Sequence, residues 1–305
     1  MQSWTSRIRR LFVVVAGATL AATTVAGPQA HAAGPGPLPP PGPSCSTTPT
    51  GENAIERDLA DSTGEVRRYR LFVPAGLTGP APLIIALHGG QSNPAKFEGQ
   101  SGWTGFAKTN KVIVAYPRGS KPDGGAGKWA WEFARDTGPD VDYLRSVAED
   151  IAGTYCVDPK RVHFVGHSNG GQMTTRMACE GTDWIASAAV WAGAKGAWDA
   201  ADCPATRPIS YAVMVNDNDP IIWQWLAEQH RDHWRTMNNC GTEHSETGPG
   251  VLRGQRFDCA AGTEVVYRLY DGPDDVTKAH DWPADPAGAH IRNRMWELFD
   301  GNRLP

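Results

Sequence analysis

Residues 161–180 read RVHFVGHSNGGQMTTRMACE. The apolar run Val162–Val165 enters a glycine-rich turn centred on Ser168 and leaves it as a helical segment, Gln172–Cys179. Few patterns restrict a backbone more. A serine in a sharp turn between a buried strand and a helix needs a small residue two positions away on each side. Here these are Gly166 and Gly170, which let strand and helix approach. The turn then projects the Ser168 hydroxyl at the C-terminal edge of a sheet. The N-terminus of the following helix offers free N–H groups and a positive dipole end there.

The remainder of the chain supplies that sheet. Tyr69, Leu71 and Val73 alternate with polar neighbours, as in a half-buried strand. Continuous apolar runs at 82–87, 112–116, 162–165, 186–191, 209–215 and 265–269 suit strands covered on both faces. Between them, residues 141–155 place Val141, Leu144, Val147, Ala148 and Ile151 on one helical face. Arg145 and Glu149 are spaced for an i, i+4 pair on another. Residues 222–237 and 291–299 also read as helices. Alternating strands and helices over this length predict an α/β protein with a mostly parallel central sheet and helices on both faces.

A second turn weighs with the first. The run Leu83–Leu87 ends in His88-Gly89-Gly90-Gln91, a strand followed by HGG. Glycine at that place can turn a backbone N–H toward a substrate carbonyl, so Gly90 (with Gly89 as the alternative) joins the Asn169 N–H as a candidate oxyanion donor, each worth roughly 3–4 kcal/mol. An acid and a histidine should follow the serine in chain order. After the 209–215 run come Asp217 and Asp219, and after the 265–269 run comes His280-Asp281-Trp282-Pro283. Ser168, Asp219 and His280 form the ordering that fits, with Asp217 competing for the acid and His290 in reserve. Trp282 beside the histidine, Trp129 and Trp131 in a Gly-rich loop, Trp223 just after the acid and Gln91 after the HGG are the candidates to contact a substrate. An indole face suits sugar rings and planar phenolic acids.

From about Tyr69 to Phe299 the chain resembles the secreted esterases of carbohydrate esterase family 1, in the branch of bacterial feruloyl esterases and polyhydroxybutyrate-depolymerase-like esterases. Residues 141–180, VDYLRSVAEDIAGTYCVDPKRVHFVGHSNGGQMTTRMACE, carry most of the likeness. The resemblance implies the α/β-hydrolase fold, with Ser168 as nucleophile, Asp219 at the acid position and His280 at the His-x-Trp-Pro position. It also implies that Cys240 pairs with Cys259, which are near in sequence. The departures are local: Val215-Asn-Asp-Asn-Asp-Pro lacks the branch's His-Gly before the acid, Lys278-Ala279 replace glycines before the histidine, and no Cys follows His88-Gly89.

Composition sets the context. The 305 residues carry 33 acidic and 29 basic side chains, and no Lys/Arg cluster is long enough to track a phosphate backbone, which argues against a nucleic-acid partner. Arg7, Arg9 and Arg10 precede an apolar run to Gly27 and the Ala30-His31-Ala32 site, the pattern of an export signal over residues 1–32. Its removal takes three Arg and no acid, leaving 26 basic against 33 acidic residues, a net charge of −7. No later segment is long enough to span a membrane. Residues 34–43, GPGPLPPPGP, read as a spacer before a single domain at 45–305. Six cysteines after the signal fit an oxidising destination and three disulfides, and none lies in a metal-binding pattern. Of Cys156, Cys179 and Cys203, all expected at the lower edge of the sheet, two should pair, leaving Cys45 for the third.

The expectation is a secreted, monomeric serine esterase without metal or organic cofactor, acting on a polysaccharide or small ester substrate, feruloyl esters of xylan first. Within the class the alternatives are an acetyl xylan esterase and a polyester depolymerase. A peptidase uses the same triad. Outside the class stands a polysaccharide-binding module on an inactive hydrolase fold, against which the intact Ser, acid, His and HGG argue.

Overall fold

The computed structural model describes residues 36–42, 45–194 and 203–305; the expected export signal lies outside them. In chain order the elements are β1 (Ile55–Ala60), β2 (Val66–Phe72), β3 (Ala81–Leu87), α1 (Pro94–Ser101), α2 (Trp103–Asn110) and β4 (Ile113–Pro117). Then follow a small ribbon of β5 (Lys121–Pro122) and β6 (Trp129–Ala130), α3 (Asp140–Thr154), β7 (Val157–His167), α4 (Asn169–Glu180) and β8 (Ser187–Trp191). The chain closes with β9 (Ser210–Asn216), α5 (Gln224–Met237), β10 (Glu243–Glu246), β11 (Val251–Asp258), β12 (Glu264–Tyr270) and α6 (Ala287–Asp300).

Among the described residues ten strands form one sheet in the order β1-β2-β4-β3-β7-β8-β9-β12-β11-β10. The six from β4 to β12 run parallel, and an antiparallel pair closes each edge. The parallel strands β3, β4, β8 and β9 are buried at every position, as their unbroken apolar runs require. Neighbouring residues of β7 address opposite layers. His163 stacks on Phe299 of α6, while Phe164 meets Trp184 edge-on, and Arg145 of α3 lies over the Trp184 ring. Residues of α6 and α3 therefore stand on opposite sides of the sheet.

The edge strands β1, β10 and β11 give no apolar run in the sequence because most of their side chains reach solvent. The helices α1 and α2 were not expected either. Asn93 caps α1, accepting from the Lys96 N–H at 2.9 Å, with Pro94 in the first turn. On α2, Trp103 is fully buried and stacks on Phe299.

The stretch expected as a spacer is in part docked. Leu38 is buried, the Gly36 N–H donates to Asp183, and Arg145 donates to the Gly36 carbonyl. Disulfides join Cys45 to Cys156, Cys179 to Cys203 and Cys240 to Cys259. Among the described residues no helix is long and apolar enough to cross a membrane.

Candidate active site

The strand β7 ends at His167, and Ser168 follows with φ 52° and ψ −120°. A non-glycine residue rarely holds a positive φ, and the packing around the turn keeps this one there. A Cβ on Gly166 would stand 2.2 Å from the Gly170 carbonyl oxygen. One on Gly170 would stand 2.4 Å from the carbonyl oxygens of Leu87 and His88. Both glycines are thus demanded by backbone contact. The Ser168 N–H donates to the Trp191 carbonyl at 3.1 Å, which fastens the turn to β8.

Because β9 and β12 are parallel neighbours, the loops that follow them leave the sheet side by side. They bring an acid and a histidine to Ser168. His280 Nε2 lies 2.7 Å from Ser168 Oγ, and His280 Nδ1 lies 2.9 and 3.0 Å from the two carboxylate oxygens of Asp219. The Asp219 side chain is sealed from solvent, and its Oδ1 also accepts the N–H groups of Ile221 and Ile222, both at 2.8 Å. Asp217 is elsewhere. It is exposed and accepts the Gly272 N–H at 3.0 Å, joining the acid-bearing loop to the histidine-bearing one. His290 is exposed on α6 and takes no part in this arrangement.

The HGG turn packs on the elbow. A Cβ on Gly89 would lie 3.4 Å from Ser168 Cβ, and one on Gly90 would lie 3.7 Å from Asn169 Cβ. His88 is fully buried, and burial pushes its pKa down to about 4, so the ring is neutral. Its Nε2 accepts the Gly119 N–H, so Nδ1 carries the proton and donates to the Gly89 carbonyl at 2.7 Å. In a trans peptide the carbonyl and the next N–H point in opposite directions. Drawing the Gly89 carbonyl toward His88 therefore turns the Gly90 N–H away from that ring, which favours Gly90 over Gly89 as the donor. The Gln91 N–H is occupied by Asp123 at 3.0 Å.

The aromatic candidates separate. Trp131 is 1% exposed, and its Nε1 donates to the His88 carbonyl, so it braces the HGG turn and is not available to a substrate. A Gly-rich neighbourhood had suggested exposure, but the Trp131 N–H bonds the Asn169 side chain and draws the residue inward. Trp282 is 5% exposed, with its ring edge-on to Phe97. Its other surroundings are a cavity of about 680 Å³ behind the His280 loop, walled also by Trp191, Tyr270, Lys278 and Asp281. Ser168, Asp219 and His280 do not line that cavity. Gln91 is exposed with φ 54°. Trp223 is 54% and Trp225 49% exposed, their centroids 6.0 Å apart, directly beyond Asp219.

Sequence reasoning missed His88, Asn216, Trp191 and Asp123 as parts of the site, since their contacts run to backbone groups. Of these only His88 had a signal, in its HGG context. Cys179 Sγ, Cys203 Sγ and a His233 nitrogen lie within 4.8 Å of one another, but the sulfurs form a disulfide and offer no thiolate to a metal.

Known proteins give the arrangement a context. No protein-family model matches the chain. It is 30% identical over 225 residues to feruloyl esterase B of Piromyces equi, a match taking in 65% of this chain and 40% of that one. It is 33% identical over 176 residues to poly(3-hydroxyalkanoate) depolymerase C of Paucimonas lemoignei, covering 56% of this chain and 41% of the relative. The chain thus matches about two fifths of each relative's length. The solved acetyl xylan esterase from Aspergillus awamori superposes with a TM-score of 0.62 at 14% identity, over 81% of this chain and 99% of that one. The fold is that of the α/β-hydrolases. Ser168 stands in the turn between a central strand and a helix, and Asp219 and His280 follow it in the chain, each in a loop after a later strand of the parallel sheet.

Proposed function

We propose that this α/β-hydrolase is a secreted serine esterase that hydrolyses carboxylic esters on plant cell-wall polysaccharide, feruloyl esters of xylan first. The observation that carries the reading is the unbroken chain of hydrogen bonds from Ser168 Oγ through His280 to a solvent-sealed Asp219.

In this reading Ser168 Oγ attacks the ester carbonyl as His280 Nε2 takes its proton. Asp219 holds Nδ1–H and stabilises the imidazolium that forms. The N–H groups of Asn169 and Gly90 receive the oxyanion, with the α4 N-terminus adding its dipole. His280 returns the proton to the leaving alcohol, and water then cleaves the acyl-enzyme. The acyl-enzyme step needs no metal or cofactor. Export is supported by the basic and apolar leader together with six cysteines joined in three disulfides.

For the substrate, the 30% identity to a feruloyl esterase favours an aromatic acyl group, and the exposed indoles of Trp223 and Trp225 beyond the acid favour a sugar polymer that carries it. The same exposed patch, with Ile221, and the likeness to a polyester depolymerase favour a second reading, hydrolysis of a solid polyester. A panel of methyl ferulate, acetylated xylan oligosaccharide and hydroxybutyrate oligomer separates them. The first reading expects the highest kcat/KM on methyl ferulate. A preference for acetyl or hydroxybutyrate esters overturns it.

A further inference from the structure

His280 lies outside the regular elements, between a short 3-10 turn, Val276–Lys278, and α6. Ala279 continues the helical backbone (φ −65°, ψ −22°). The carbonyls at the C-terminal end of such a turn have no partner within it. Here three in a row find one, each from a different strand of the central sheet. Asn216 Nδ2, at the end of β9, donates to the Ala279 carbonyl at 2.8 Å. His167 Nε2, at the end of β7, donates to the His280 carbonyl at 2.7 Å. Trp191 Nε1, at the end of β8, donates to the Asp281 carbonyl at 2.9 Å. A carbonyl can only accept, so the His167 proton sits on Nε2. The donors are themselves fixed: Trp191 is fully buried, Asn216 is 5% exposed, and the His167 ring stacks on Phe97 at an interplanar angle of 12°.

We infer that His167, Trp191 and Asn216 are positioning residues, a three-point clamp on the backbone of His280 that sets its ring against Ser168. The inference rests on the reading of His280 as the general base. Its geometric content is that nucleophile and base take their positions from the same strand ends. His167 is the residue next to Ser168, so the strand that presents Oγ also holds the carbonyl of the base. A displacement of about 1 Å in such a pair costs on the order of 10²-fold in rate, which is what release of the clamp should bring.

The test compares four variants of the full chain. Trp191→Phe keeps a buried ring and deletes one N–H. His167→Leu deletes the donor, and His167→Gln restores an N–H at similar reach. The double variant His167→Leu/Trp191→Phe measures coupling. Folding is checked by near-ultraviolet circular dichroism, and kcat and KM are measured on methyl ferulate. Trp191→Phe and His167→Leu should each lower kcat by about 10- to 100-fold, with KM within about twofold. His167→Gln should recover most of the loss relative to His167→Leu. The double variant should lose less than the product of the single losses, because a loop released at one carbonyl is no longer held by the others.

Wild-type kcat in folded Trp191→Phe overturns the clamp, and so does a His167→Gln as impaired as His167→Leu. If His167→Leu fails to fold, Trp191→Phe alone decides. His280→Ala separates the two levels. If it abolishes turnover while the clamp variants match wild type, only the clamp fails. If it leaves turnover intact, the reading of the base itself is wrong.

Discussion

The carboxylate of Asp219 stands 2.9 Å from His280 Nδ1 with no solvent access, whereas Asp217, two residues earlier, bonds the Gly272 N–H at the surface. The two acids therefore differ in what substitution removes. Asp219→Asn should lower kcat by about 10⁴-fold, because an amide that donates to Nδ1 stabilises the wrong tautomer. Asp217→Asn keeps an oxygen for Gly272 and should cost less than about tenfold. Steady-state kinetics on methyl ferulate distinguish them, and a severe Asp217→Asn beside a mild Asp219→Asn would move the acid by two positions.

The elbow glycines offer a test of the fold that is independent of activity. Gly170→Ala would press a methyl group against two carbonyl oxygens at 2.4 Å, and Gly166→Ala would press one against the Gly170 carbonyl oxygen at 2.2 Å. Each should destabilise by about 3 kcal/mol or more. Gly153, inside α3 with open space at its Cβ position, is the control, and Gly153→Ala should stabilise by about 0.5–1 kcal/mol. Denaturant midpoints measure all three. Equal midpoints for Gly170→Ala and wild type would contradict the close contact.

Three histidines make stability depend on pH. Desolvation by burial pushes the pKa values of His88, His163 and His167 from 6.5 down to about 4, about 3 and about 4. Below pH 6.5 the unfolded chain takes up protons that the native protein refuses, so the folded state loses stability as pH falls toward 4. Above pH 6.5 the contribution is fully present. Each histidine contributes at most about 1.4 kcal/mol per pH unit across this window. Denaturation at pH 7 and pH 5 should differ by a few kcal/mol, and His163→Gln should flatten the profile. An unchanged slope in that variant would show that His163 carries no such linkage.

The sequence made the centre of the molecule legible and left its periphery obscure. The buried parallel strands and the turn at Ser168 follow from local patterns with a steric cause, whereas Asp219 and His280 follow from their places after two later strands in chain order. The edge strands β1, β10 and β11 leave no such pattern, since an exposed strand buries too little to force apolar alternation. Trp131 was misread because local glycines suggested a surface loop, and only the folded chain shows its indole bonded beneath the HGG turn. His167, Trp191 and Asn216 act on backbone carbonyls more than 60 residues away, contacts that leave no trace in spacing.

The exposed indoles carry the polymer side of the account. Trp223 and Trp225 project beyond an acid-bearing loop whose first turn is tied to Asp219 Oδ1. Trp223→Ala should raise KM about three- to tenfold on feruloylated arabinoxylan, the loss of about 1 kcal/mol of stacking. It should leave methyl ferulate kinetics and stability nearly unchanged. Equal effects on polymer and small ester would remove the indole from polymer recognition.

The central claim is that Ser168 is a nucleophile activated by His280. The direct measurement is mass spectrometry of the protein after treatment with a fluorophosphonate. A single phosphonyl adduct on the peptide bearing Ser168 is expected, with labelling strongly slowed in His280→Ala and absent in Ser168→Ala. An unlabelled wild-type chain, or an adduct on another residue, would contradict the account.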